Sequence, residues 1–137
     1  MSDLFVDTDV IIRLLTGDDP QKQARAAALF EQMERGEVTL AAPVTVIADC
    51  VYVLSSPRLY HLPRAEVVAL LGALLRLPHF RVDHRQTLQQ ALEIYAARNF
   101  DFGDAFIVAS MQQAGSQAVY SYDAGFDRVK DIERLEP

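Results

Sequence analysis

Cysteine, lysine and long apolar runs are what this sequence is short of. Cys50 is the only cysteine, which excludes an internal disulfide and any zinc site built from several thiolates. Alone, it reads as a small core residue. Lysine occurs only as Lys22 and Lys130, and the formal net charge is −6, so the strongly basic surface that normally supplies phosphate affinity is missing. No apolar stretch is long enough to cross a bilayer, and "MSDLFVDTD" places acids where a signal peptide carries positive charge. The expectation is a soluble, cytoplasmic protein with no membrane partner. Linkers, repeats and low-complexity tracts are also lacking. With 50% hydrophobic residues, the 137-residue chain is expected to form one domain, residues 1–137, around a real core.

What is present is a regular alternation of strand-like and helix-like segments. "DLFVDT" reads as a short buried strand and "DVIIRLLTG" as a brief helix, capped by Thr8 or Asp9 and ended by Gly17. Residues 20–35 have an alanine-rich helical pattern. "EVTLAAP" is a second strand. "PRAEVVALLGALLRLP" is a helix bounded by Pro63 and Pro78, "HFRVD" a third strand and "RQTLQQALEIYAARN" a further helix. "GDAFIVASMQQAG" starts a helix near Asp104 and stops it at Gly115, "QAVYSYD" is a fourth strand, and "IERLEP" forms a fifth at an edge. This alternation predicts an α/β sandwich with a mostly parallel sheet of four to five strands, helices covering both faces.

One residue disturbs the pattern. In "APVTVIADCVYVL", Asp49 interrupts a run whose apolar residues cover every face of a helix, which predicts a buried carboxylate. Such a group must be protonated, paired or bound to a metal. No lysine or arginine lies between Arg35 and Arg58, so any partner comes from elsewhere in the fold. Ligands of open parallel sheets bind beyond the carboxyl ends of the strands. Asp7 ends the first strand, Asp123 the fourth, and Asp104 opens a helix on the same side. Asp49 is expected to join them from a helix packed beneath. Crowded carboxylates repel, and divalent cations relieve them; oxygen-rich sites suit Mg²⁺ or Mn²⁺. Simpler roles exist for three of the four: Asp7 and Asp104 can cap helices, and Asp123 can shape the turn "DAG". Asp101 and Asp127 read as surface or supporting acids.

Four blocks of the chain resemble PIN-domain proteins of the VapC toxin type: "FVDTDVIIRLL", "PVTVIADCVYVL", "DFGDAFIVA" and "VYSYDAGFDRV". They follow in the family's order and cover essentially the whole chain. The resemblance implies a PIN-like three-layer α/β/α sandwich and a metal-dependent endoribonuclease that cuts RNA. Asp7, Asp49, Asp104 and Asp123 would be its Mg²⁺- or Mn²⁺-binding catalytic acids. Thr8 and Ser121 match the small hydroxyl positions beside the first and last of them. It also implies a homodimer and a small antitoxin partner. Two positions depart from the pattern, Asp49 standing where Glu is usual and Asp9 where Asn is usual.

Two other functions compete. The D-x-D of Asp7 and Asp9 fits a haloacid-dehalogenase-like phosphatase, although neither lysine has a matching context. A non-catalytic PIN-like module could receive a basic peptide in the acidic pocket. His61, His79 and His84 have no metal-ligand spacing and read as surface residues. Against the net charge, Arg13, Arg58, Arg64, Arg85 and Arg98 are expected to form a local phosphate path. The apolar stripe Leu70, Leu71, Leu74, Leu75 is expected to offer part of its surface to a partner.

Overall fold

The computed structural model describes residues 2–137; Met1, the first residue of the expected domain, lies outside them. The order is β1 (Leu4–Phe5), α1 (Thr8–Leu15), α2 (Pro20–Glu34), β2 (Leu40–Ala42), α3 (Val44–Ser55), α4 (Arg64–Leu75) and β3 (Phe80–Val82). Then follow α5 (Arg85–Ala97), α6 (Phe102–Ala114), β4 (Ala118–Tyr120), a 3-10 helix (Ala124–Arg128) and β5 (Glu133–Leu135). Every strand pairing is parallel, the result expected when each strand is followed by a helical crossover. Leu40, Ala41 and Ala42 are all buried although their side chains alternate between the two faces of the sheet. Helices therefore cover both faces, in the three-layer α/β/α arrangement expected.

The strands divide into two hydrogen-bonded sheets rather than one. β1-β2-β3 form the first, with Leu4 beside Leu40 and Leu40 beside Phe80; β4 and β5 form the second. β1 is only two residues long, because the chain turns into α1 as soon as Val6 is buried. Its Leu4 and Phe5 are 52% and 71% exposed, and Tyr120 of β4 is 69% exposed.

The core runs between the sheet and the helices. Phe30 of α2 meets Phe80 of β3 with ring centroids 5.9 Å apart. Leu71 and Leu75 of α4, Leu88 and Leu92 of α5 and Val108 of α6 are buried together in the same cluster. Leu74 is also buried and Leu70 partly so, so this stripe is core and not the partner surface expected of it. Gly115 takes the left-handed conformation (φ 72°) that ends α6, as its place in the sequence predicts.

The largest correction concerns α3. Its buried residues are Val46, Ile47, Cys50, Val51 and Leu54, which share one face. Thr45, Asp49 and Tyr52 lie on the opposite stripe, exposed. Asp49 is therefore not a buried carboxylate. The sequence misleads because Tyr52 and Val53 are apolar without being fully buried, so composition suggests burial all round while the 3.6-residue period leaves one face outside.

Candidate functional site

Asp7 follows β1 and occupies the N-cap of α1, where its Oδ1 accepts a hydrogen bond from the Thr8 backbone N–H at 2.7 Å. The cap is thus Asp7 itself, not Thr8 or Asp9. An exposed carboxylate has two oxygens, so capping leaves the second free for another partner. Asp7 and Asp49 line one cleft of about 450 Å³, with Thr8, Asp9, Ile12, Arg13, Val53, Leu59 and Tyr60. The outward stripe of α3 thereby faces the start of α1. The hydroxyl of Thr8 is buried beside Asp7 with no hydrogen-bond partner, and an unsatisfied group of that kind costs stability.

Cys50 sits behind this pair. Burial, then the charges of Asp49 and Asp7, push its thiol up to about 12. The thiolate is accordingly suppressed at neutral pH, and a native-state alkylation time course should label Cys50 only as fast as the protein unfolds. Rapid labelling of the folded protein would contradict this placement.

The other two acids form a second pair. Asp104 lies in the first turn of α6, half-buried, and its carboxyl is raised above the ordinary 3.8 by desolvation, then by the charges of Asp123 and Asp101. Asp101 holds the N-cap position of α6 without a side-chain cap bond. Asp123 lies beyond β4, capping the 3-10 helix by accepting from the Gly125 N–H at 2.8 Å. Ser121 fixes that turn, its Oγ accepting from the Asp123 N–H at 2.9 Å. Asp127 is ion-paired with Arg134 at 3.0 Å and takes no part in the pair.

α3 and α6 pack on one another. The cleft between them, about 710 Å³, is lined by Ala48 and Gly103, the chain neighbours of Asp49 and Asp104. The four acids are thus presented as two pairs on adjoining elements. Among the described residues, no group of three or more His, Cys, Asp or Glu side chains is close enough to cage a metal ion. A cage is not what Mg²⁺ requires, since it keeps several waters and binds through one or two carboxylates plus substrate phosphate. The all-oxygen donors and the solvent-facing cleft fit a hydrated hard cation.

Several residues were not foreseen. Tyr60 donates to Asp18 at 2.8 Å, holding the loop after α3 against the end of α1 as a wall of the acid cleft. Asp18 also receives Thr16 at 3.1 Å and Arg13 at 3.2 Å. Its carboxyl is held below the ordinary range, chiefly by the Tyr60 hydroxyl. The partners Asp18 and Tyr60 are 42 residues apart, and nothing local in the sequence signals them.

The expected arginine path is mostly structural. Arg64 donates to the carbonyls of Tyr95 and Phe100 and stacks over the Tyr95 ring; Arg85 donates to the Phe80 carbonyl, and Arg98 to that of Arg128. Arg58 is exposed in the loop before α4. Of the five, only Arg13 lines the acid cleft. His61, His79 and His84 are exposed, each with positive φ, as suits loop and helix-start positions.

Comparison with known proteins adds three findings. No curated protein sequence matches the chain. Among solved structures, the Mycobacterium tuberculosis toxin VapC20, described as cleaving the sarcin-ricin loop, aligns over 98% of this chain and 100% of its own. The identity is 22% and the TM-score 0.43. The model of the PIN domain matches residues 4–132, a span that contains all four acids and nearly the whole chain, and on that match the chain belongs to the PIN-domain family of nucleases.

Proposed function

We propose that the protein is a Mg²⁺- or Mn²⁺-dependent endoribonuclease, the VapC-type toxin of a toxin–antitoxin pair. The observation that carries this reading is the meeting of Asp7 and Asp49 in one open cleft of a PIN-domain chain. Asp7 and Asp49, with Asp104 and Asp123, would hold the ion. Bound there, the ion would supply the charge that activates water and stabilises in-line attack on a phosphodiester. The chain's own contribution is positional. Capping bonds fix one oxygen each of Asp7 and Asp123, the Ser121 hydroxyl sets the turn before the latter, and the Asp18–Tyr60 contact holds the cleft wall. The Asp104 carboxyl is raised first by desolvation and then by the charges of Asp123 and Asp101, and a cation would relieve that second contribution.

The test is cleavage by the purified protein of a structured RNA and of the DNA of the same sequence, in Mg²⁺, in Mn²⁺ and in chelator. RNA cut only with metal, and DNA spared, is the expected result. Cleavage in excess chelator would refute it.

The reading includes a cytoplasmic protein of one PIN-like unit that dimerises and is restrained by a small antitoxin. No helix among the described residues is long and apolar enough to cross a membrane. Support for partners comes from Tyr52, Leu59 and Ile107, which are 70%, 57% and 42% exposed on or near α3 and α6. Light scattering at micromolar concentration should give twice the chain mass of 15.3 kDa. A mass of one chain would defeat the homodimer.

A further inference from the structure

A second cleft, of about 350 Å³, lies between α1 and α2 and is lined by Asp9, Val10, Arg13, Lys22, Arg25 and neighbouring apolar residues. Asp9 and Arg13 also line the cleft that holds Asp7 and Asp49. The two depressions therefore adjoin, with Asp9 and Arg13 of α1 as their shared wall. The helical period explains the lining: Asp9, Val10 and Arg13 share one face of α1, while Lys22, Arg25, Ala26 and Leu29 share one face of α2. The apolar side chains make the floor, and three cations face a single carboxylate around it.

From this adjacency we infer that an RNA strand lying across the acid cleft continues over α1 into the α1–α2 groove, where Arg13, Lys22 and Arg25 take its neighbouring phosphates. The inference rests on the ribonuclease reading. In a chain of net charge −6, attraction for phosphate has to be local, and this groove concentrates cations beside the acids. Lys22 and Arg25 are exposed and form no ion pair among the described residues. They are available to a strand at no cost in broken contacts. Arg13 is oriented from behind: Asp18 holds one of its nitrogens at 3.2 Å, and Tyr60 and Thr16 hold Asp18. The remaining donors of its fork are left for a phosphate. Asp9 stands at the junction of the two clefts, where its charge opposes an entering phosphate. It sets the strand's path toward the α2 side.

Fluorescence anisotropy of a single-stranded RNA oligonucleotide, in chelator and over a series of KCl concentrations, tests this on the full chain. For Lys22→Gln/Arg25→Gln the salt dependence should be shallower by about 1.4 in log Kd against log salt, about 0.7 for each lost phosphate contact. Lys130→Gln, in a loop lining neither cleft, should keep the wild-type slope. Asp9→Asn should tighten binding in the same metal-free buffer. An unchanged slope in the double variant, or an equal loss in Lys130→Gln, overturns the inference. So does a double variant that loses affinity for polyglutamate but not for RNA, which would assign the groove to an acidic protein segment. RNA held with the groove-dependent slope but left uncut in Mn²⁺ would uphold the groove and refute the nuclease reading.

Discussion

Asp7→Asn and Asp104→Asn should each lower RNA cleavage by about 10³-fold, the scale on which loss of one preorganised electrostatic group acts on kcat, while the fold survives. Asparagine is as good an N-cap as aspartate, so the bond that Asp7 accepts from the Thr8 N–H is retained when the charge is removed. A purely capping Asp7 would leave cleavage untouched. Asp104→Asn has a second signature. Its carboxyl holds a proton more tightly in the folded chain than its ordinary value of 3.8 implies, first through desolvation and then through Asp123 and Asp101. That preference supports the fold at low pH and is lost as pH rises through the folded-state value. Removing the charge should therefore raise the metal-free Tm at neutral pH by about 1–2 °C, a small gain because water still reaches and screens the half-buried group. The gain should disappear in acid. Melting curves in chelator at pH 7 and well below the ordinary carboxylate range check the sign.

Asp49 should govern the response to metal. If it is a ligand, Mn²⁺ at one hundred times its Kd adds about 2.7 kcal/mol of stability, a rise of roughly 10 °C in a chain of this size. Asp49→Asn should lose most of that rise while leaving the metal-free Tm nearly unchanged, because Asp49 is exposed and ion-paired with nothing among the described residues. Its place on the outer stripe of α3 also alters the expectation for Asp49→Glu. The added methylene extends into the cleft and not into the core, so no overpacking cost arises, and metal affinity should hold or increase. Equal Mn²⁺-induced shifts in wild type and Asp49→Asn would remove Asp49 from the site.

The element order was readable because each signal was local. Pro63 and Gly115 bound helices where their backbone chemistry predicts, the acid before α1 follows from a strand-to-helix transition, and Asp104 from the start of α6 after α5. Packing direction was not local. "APVTVIADCVYVL" carries enough apolar residues to suggest burial on all sides, yet Asp49 lies on the face that α3 turns outward. The arginines were misread for the same reason: Arg64 and Arg85 are spent on carbonyls of distant or turning backbone, a use that no spacing reveals. Lys22 and Arg25 gain meaning only once α2 is laid against α1. The D-x-D of Asp7 and Asp9, which alone fits a phosphatase, loses that reading once the PIN-domain match spans both residues.

Direct binding of the ion tests the central claim, independently of any RNA. Mn²⁺ free in solution gives a strong paramagnetic resonance signal that falls as the ion is bound, so titrating the protein reports occupancy. Wild type should deplete the signal saturably, and Asp7→Asn and Asp104→Asn should each weaken metal affinity by about tenfold or more, at least the loss that disturbing a metal site's surroundings produces. Equal depletion by all three proteins, or none by the wild type at millimolar Mn²⁺, would contradict the account.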